Sequence, residues 1–352
     1  MWNRSFESTK KPERGTEVVL TKKTIELLNA ERYIRAREVW FDKLEALYDG
    51  KSSGPIYLWG IVFFPPEDPY TDLEGWMDAA LEMIPNHIES IMDETVFRPL
   101  AIEFPIYGVH FIDKIFGSNV FFQDGQWYNR KLSIEVGELE RPDLEHDPTW
   151  ALAKKATQLF LEKGVRLPVY GLPTIASALN IAVNLFSEDI LVALCLEPEA
   201  AEHDLKVIND VLIEIHQWYL NHLPIDQLQP VVSWQRTQPR GYGQICGCSS
   251  HLLSPALYRE LVAPLDAELL GVYPKGGMIH LCGSHSQHLP VWREMKELRA
   301  VQLHDRAAED LEKYFHELRD DQMIYVNTCR GMSAEKAIEI TGGKRLVIVD
   351  PR

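Results

Sequence analysis

Cysteine is scarce in this chain. Cys195, Cys246, Cys248, Cys282 and Cys329 are the only five in 352 residues. A small, odd number in a long chain excludes a disulfide framework and leaves reduced thiols or metal ligands. Basic residues are also short. Lys and Arg number 36 against 52 Asp and Glu, for a formal net charge of −16. That balance excludes nucleic acid and anionic membrane as partners, since both demand a basic surface. No apolar run is long enough to span a bilayer, and no cationic stretch leading into an apolar one opens the sequence. A cytoplasmic protein is expected. No Gly-x-Gly-x-x-Gly follows a predicted strand, which argues against a dinucleotide site. Low-complexity tracts and short-period repeats are absent too.

What is present is a large supply of core residues, 45% hydrophobic, enough for one big domain or two ordinary ones. Residues to about Thr21 read as a polar arm, and residues 22–49 as a helix with an apolar stripe. The run from Ile56 to Phe64 reads as one strand buried on both faces. Leu100 to Phe104 suggests another strand, and Asn119 to Ile134, centred on Asp124-Gly125, a hairpin. Asp147-Pro148 opens a helix to about Lys163, with proline at its first position. Strands follow at 168–171 and at Val231 to Trp234. Ser254-Pro255 caps a helix to about Leu270. Beyond it the sequence alternates: strand 277–282, helix 286–297, strand 300–304, helix 306–318, strand 323–328, helix 333–340, strand 345–349. Strand and helix in alternation imply parallel strands with right-handed crossovers. The expected fold is α/β: a (β/α)8 TIM barrel over residues 51–352, with residues 1–50 an N-terminal helical extension packed on it. A doubly wound sheet is the alternative.

The chemistry concentrates in Met278-Ile279-His280-Leu281-Cys282-Gly283 and in Cys329. Side chains at i and i+2 of a strand share a face, so His280 and Cys282 project together. Cys329 ends the apolar run from Met323 to Val326. If the strands are neighbours, His280, Cys282 and Cys329 offer one nitrogen and two sulfurs with a fourth position open, as in a catalytic zinc site. Taken singly, each has a blander use, a histidine at a strand end or a cysteine packed as a small apolar residue.

Together with Leu253-Ser254-Pro255-Ala256-Leu257-Tyr258-Arg259, Val262-Ala263-Pro264-Leu265 and Ile279-His280-Leu281-Cys282-Gly283, the pattern resembles the uroporphyrinogen decarboxylase superfamily over roughly residues 95–350. The resemblance implies a TIM barrel. True porphyrinogen decarboxylases carry an Arg-Gln-Ala-Gly-Arg segment near the first strand; here Leu58-Trp59-Gly60-Ile61-Val62 stands there without an arginine. The other branch holds zinc methyltransferases, whose His-x-Cys and distant Cys match His280, Cys282 and Cys329. In the coenzyme M enzymes of that branch the last cysteine lies further downstream than Cys329. The resemblance implies transfer of a methyl group between a small molecule, such as a methyl ether or thiol, and a corrinoid, with zinc as Lewis acid. No Asp-x-His-x-x-Gly occurs, so the corrinoid would come on a separate binding protein. A uroporphyrinogen-type decarboxylase and a non-catalytic zinc- or corrinoid-binding barrel are the competing functions.

Further residues surround this motif. His304 and Asp305 end the next strand and are candidates for catalysis, for a fourth ligand or for fixing an imidazole tautomer. Asp305 serves equally well as an N-cap. Glu103, in an apolar strand, is either paired structurally or catalytic. Trp59 and Trp234 fall at strand ends as cofactor-binding candidates, with Cys248. Cys246-Gly247-Cys248 with His251 is a rival metal cluster or a pocket wall. His285 and His288 read as exposed or as supports for the ligands.

Overall fold

The computed structural model describes residues 18–52, 54–104, 106–230 and 233–349. Its strands are β1 (Ile56–Leu58), β2 (Ile61–Val62), β3 (Val96–Phe97), β4 (Leu100–Glu103), β5 (Asn119–Gln123), β6 (Gln126–Arg130), β7 (Val169–Gly171), β8 (Leu228–Gln229), β9 (Gly243–Cys246), β10 (Gly277–Cys282), β11 (Leu298–His304), β12 (Met323–Asn327) and β13 (Leu346–Val349). They form a seven-stranded sheet in the order β3-β1-β13-β12-β11-β10-β9 and a four-stranded sheet in the order β2-β4-β7-β8. Every pairing in both is parallel. The expected hairpin is the antiparallel β5-β6 pair, turning at Asp124-Gly125.

The two sheets meet twice. Trp59 N–H donates to Phe97 O at 2.9 Å and Ile61 N–H to Pro99 O at 2.8 Å, so the ladder passes from β1 and β3 to β2 and β4. At the other ends, amide side chains span from β8 toward β9. Gln229 donates to Gln238 O at 3.2 Å, Gln238 N–H returns a bond to Gln229 at 3.1 Å, and the Gln238 side chain donates to Gly243 O at 2.7 Å. The α/β class and the parallel sheet agree with the alternating pattern of the sequence.

Three local expectations differ. The run from Ile56 to Phe64 splits into β1 and β2 because Gly60 N–H turns away to Trp234 O, at 2.8 Å. A side chain there would stand 2.7 Å from Trp234 Cα, so only glycine permits the approach. The expected strand at Val231 to Trp234 is not formed at Trp234, which belongs to a short helix, Ser233–Arg236; Val231 and Val232 lie outside the described residues. The carbonyls of this stretch bond to the inner faces of distant strands. Gln235 O accepts from Gln302 in β11 at 3.4 Å, and Thr237 O from Tyr325 in β12 at 2.9 Å. The segment therefore lies across one face of the sheets. The first expected helix breaks at Asn29-Ala30 into Lys22–Leu28 and Glu31–Tyr48; the arm before Val18 lies outside the described residues.

Helix Glu31–Tyr48 is anchored by a buried arginine. Arg37 donates to Arg166 O at 2.7 Å and Leu167 O at 2.9 Å, just before β7. Trp40 stacks on Phe97 of β3, and Tyr48 Oη lies 3.2 Å from Tyr325 Oη. Among the described residues no single helix is long and apolar enough to cross a membrane.

Helix Pro255–Leu270 starts where Ser254 accepts from Leu257 N–H. It runs as an α turn, a π turn over Tyr258–Val262, and α-helix Ala263–Leu270. Pro264 has no N–H to give to the preceding turn, and the widened turn absorbs the loss. Beside it Trp292 Nε1–H donates to Tyr258 Oη at 2.8 Å, and Tyr258 donates to buried Asp266 at 2.7 Å. Burial pushes the Asp266 carboxyl up to about 7, against the opposing Tyr258 bond. A raised carboxyl disfavours the folded state only when it must ionise. The cost is absent below the unfolded value near 4 and complete above about pH 7. Asp266→Asn should therefore raise the melting temperature at about pH 8 and leave it nearly unchanged at about pH 4. The expected difference in stability gain is on the order of 2–4 kcal/mol. Equal gains at both pH values in thermal melts would remove Asp266 as the cause.

Candidate metal centre

Parallel pairing in register assembles this site. His280 of β10 lies opposite Gln302 of β11 and Cys246 of β9, and Cys282 lies opposite His304. Residues in register on parallel strands point to the same face. Cys246, His280, Cys282, Gln302 and His304 therefore share one face, near or at the C-terminal ends of three adjacent strands. Ile279, Leu281, Val301 and Leu303 take the opposite face and are buried.

Cys248 joins them from the loop after β9. Gly247 N–H donates to His280 O at 2.9 Å, which folds the loop back on β10. A Cβ at Gly247 would stand 2.8 Å from Ile279 Cγ2, so the glycine of Cys-Gly-Cys lets both thiols face the same space. Cys246 Sγ and Cys248 Sγ are 3.5 Å apart, and His280 Nε2 and Cys282 Sγ 3.1 Å. Ligand atoms of Cys246, Cys248 and His280 lie within 4.8 Å of one another, as do those of Cys282, His304 and Asp305. Donors around a tetrahedral zinc, with bonds of 2.0–2.3 Å, sit roughly 3.5–3.8 Å apart. The spacing and the softness of the donors fit that ion.

The imidazole is fixed from behind. Gln302 Nε2–H donates to Asn327 Oδ1 at 2.7 Å and faces Gln235 O, which turns its Oε1 toward His280 Nδ1 at 2.8 Å. His280 Nδ1 must then carry the hydrogen, and its Nε2 lone pair is left for the thiol cluster. The thiols share their protons unequally. Hydrogen bonding, first from Cys248, holds Cys282 well below the usual thiol range despite burial. The Cys248 bond likewise lowers Cys246, while Cys248 itself is pushed up by its two sulfur partners and by burial. His304 is raised, first by Cys282 and then by Asp305. Asp305 Oδ2 lies 3.1 Å from His304 Nδ1, within ion-pair distance but not aligned as a hydrogen bond.

The remaining sequence candidates are distributed as follows. Cys329 is in neither close donor group among the described residues; it forms a bridge with Met332 in the turn after β12. Asp305 does not cap the following helix and adopts φ +50°, a strained position for a side chain. Glu103 ends β4, and its charge reaches Arg236. Trp59 and Trp234 meet edge-on, with ring centroids 4.7 Å apart. His251 is exposed, with Nδ1 on Cys248 O at 2.5 Å. His285 and His288 are fully buried, which corrects the exposed alternative for both. His285 Nε2 holds Cys248 O at 3.1 Å, and His288 Nε2 holds Ser250 O at 2.8 Å, so both support the cysteine loop.

Gln302, Asn327 and Arg236 were not singled out from sequence. Gln302 carried a signal, a lone amide in an apolar strand two residues before His304. Arg236 carried none.

These contacts predict which thiols hold zinc. Cys282→Ser and Cys248→Ser should each weaken zinc by about tenfold or more in chelator competition, and Gln302→Leu by roughly 10–100-fold. Cys329→Ser should keep wild-type affinity. Loss of zinc in Cys329→Ser alone, with the other variants unaffected, would contradict this donor set.

Sequence comparison finds no matching family model and no matching curated protein. Among solved structures the chain is similar to one titled a methyltransferase from Methanosarcina mazei, at a TM-score of 0.62 and 12% identity, over 87% of this chain and 90% of that one. At that identity the likeness shows a shared fold.

Proposed function

We propose that this chain is a zinc-dependent methyltransferase of the uroporphyrinogen decarboxylase superfamily, built on a (β/α)8 barrel with an N-terminal helical extension. Residues 51–352 would form the barrel and residues 1–50 the extension. It would act in the cytoplasm, moving a methyl group between a small molecule and a corrinoid carried by a separate binding protein. The observation that carries the reading is the convergence of Cys246, Cys248, His280, Cys282 and His304 at the C-terminal ends of parallel strands, where barrel enzymes hold their chemistry. The likeness to a structure titled a methyltransferase supports it. The two meeting points of the parallel sheets favour closure into a barrel.

When bound, zinc supplies a Lewis acid that makes a heteroatom a better leaving group or a stronger nucleophile. His280 Nε2, with the Cys282 and Cys248 sulfurs, would hold it, and Gln302 keeps the imidazole in the ligating tautomer. Cys248 would have to be deprotonated to serve as a ligand. His304 is the proton carrier. Beside the Cys282 thiolate and Asp305 it binds a proton more firmly than an ordinary histidine. A corrinoid would supply the nucleophile that accepts the methyl group of an ether, and the His304 imidazolium would protonate the oxygen left behind. In the reverse direction neutral His304 removes the proton of an incoming thiol. Glu103 and Asp305 set the charge around this transfer.

The test is spectroscopic. Conversion of cob(I)alamin to methylcobalamin is followed with a panel of methyl ethers, amines and thioethers, with and without a zinc chelator. Turnover that stops with the chelator and returns with zinc is the expected result. His304→Gln should lower it by roughly 10²-fold or more, the scale of a lost acid–base group. Decarboxylation of uroporphyrinogen, or methyl transfer untouched by zinc removal, would overturn the proposal.

A further inference from the structure

The Cys-Gly-Cys turn puts two sulfurs in contact. Cys246 Sγ and Cys248 Sγ are 3.5 Å apart, and both residues are partly exposed, so a small solute reaches them. Gly247 adopts φ −106° and ψ 24°, which folds one cysteine back toward the other. The backbone around them is held. Gly247 N–H donates to His280 O at 2.9 Å, Ser177 N–H to Cys246 O at 3.0 Å, Ser249 N–H to Asn180 Oδ1 at 2.8 Å and Ser250 Oγ–H to Gly247 O at 2.8 Å. Cα atoms two residues apart in such a turn are roughly 5.5–6 Å from each other, inside the range that a disulfide accepts. Rotation of the two side chains then closes the gap to a bond of about 2.05 Å, with the backbone in place. The other cysteines are placed differently. Cys282, on β10, turns its sulfur to His280 Nε2 at 3.1 Å. Cys195 is exposed near the end of helix Glu188–Leu196, and Cys329 lies in the turn after β12.

We propose that Cys246-Gly247-Cys248 is a redox latch on the metal centre: without metal, hydrogen peroxide joins the two cysteines as a disulfide, which excludes zinc until a thiol reductant reopens it. This goes beyond methyl transfer and does not depend on it. One of the two sulfurs, as thiolate, attacks a peroxide oxygen. The O–O bond breaks, hydroxide leaves, and the sulfur becomes a sulfenic acid. The second sulfur attacks the first, the S–O bond breaks, and the hydroxyl leaves as water with the remaining proton. Two thiols lose two electrons and two protons in all, and one peroxide becomes two waters. The disulfide takes Cys248 and Cys246 out of the donor set, leaving Cys282 and the imidazoles. Zinc protects the turn in return, because a sulfur bonded to the ion has lost the lone pair that the first step needs. Exposed disulfides are the readily reduced kind, so the latch reopens with glutathione.

The experiment needs no turnover, so it fails or succeeds separately from methyl transfer. Full-length protein, zinc-loaded or stripped by chelator under reductant, is freed of reductant and treated with one equivalent of hydrogen peroxide. In the stripped protein free thiols should fall from five per chain to three, as two are consumed. The tryptic peptide Gly241–Arg259, which carries both Cys246 and Cys248, should become lighter by two hydrogen atoms and resist alkylation. Zinc affinity in chelator competition should drop by about tenfold or more and return with glutathione. The zinc-loaded protein should keep five thiols. Cys282→Ser should still form the disulfide, and Cys246→Ser should not. Retention of all five thiols by the stripped wild type overturns the proposal, whether or not the variants fold. So does a cross-link between Gly241–Arg259 and Gly276–Arg293, which would assign the bond to Cys282, or oxidation that stops at sulfenic or sulfinic acid. A disulfide that leaves zinc affinity unchanged, or that forms equally fast in the zinc-loaded protein, would also overturn it.

Discussion

A parallel strand pair holds residues of equal register side by side on one face, and the candidate centre depends on three such strands. With β9, β10 and β11 in register, Cys246 stands beside His280, His280 beside Gln302, and Cys282 beside His304. A slip of one residue in β10 would send His280 and Cys282 to the side of Ile279 and Leu281, away from every partner. The apolar residues of the opposite face prevent that slip, because their burial fixes the register. The packing that stabilises the fold therefore also aligns the donors.

Polar groups inside such a protein are costly unless they bond to one another. Here they form a connected set. Asn327 accepts from Gln302, Gln302 orients His280, and Tyr325 bonds to Thr237 and meets Tyr48. Much of this set is completed by the short segment around Trp234 to Gln238, whose carbonyls accept from β11, β12 and Gly60. That segment lies over the face that carries Gln302 and Tyr325. Its position depends on Gly60, where any side chain would collide with it.

Charge follows from the same crowding. Three thiols and two imidazoles in partly buried surroundings cannot all hold ordinary protonation states. Cys248 is raised by its sulfur neighbours and by burial, Cys246 and Cys282 are lowered, and His304 is raised. Two acids held low beside a base held high is a distribution suited to binding a soft cation and moving a proton next to it.

The sequence by itself determined the alternating α/β order, the hairpin at Asp124-Gly125, the strand Gly277–Cys282 and the shared face of His280 and Cys282. These are local: a period of two or 3.6 residues, a turn dipeptide, a capping serine with proline after it. It also marked His304 as a neighbour of the motif, because consecutive strands of a βαβ unit tend to pair. What it could not decide was which distant thiol lies near that pair. Cys329 and Cys248 were both candidates from composition and order, and only the lateral pairing of β9 with β10, with the turn at Gly247, brings Cys248 to them. The splitting of the first strand, the helical turn at Trp234 and the burial of Arg236 were equally invisible. Each depends on a contact between residues far apart in the chain, where side-chain amides and a single glycine, rather than local periodicity, set the backbone path.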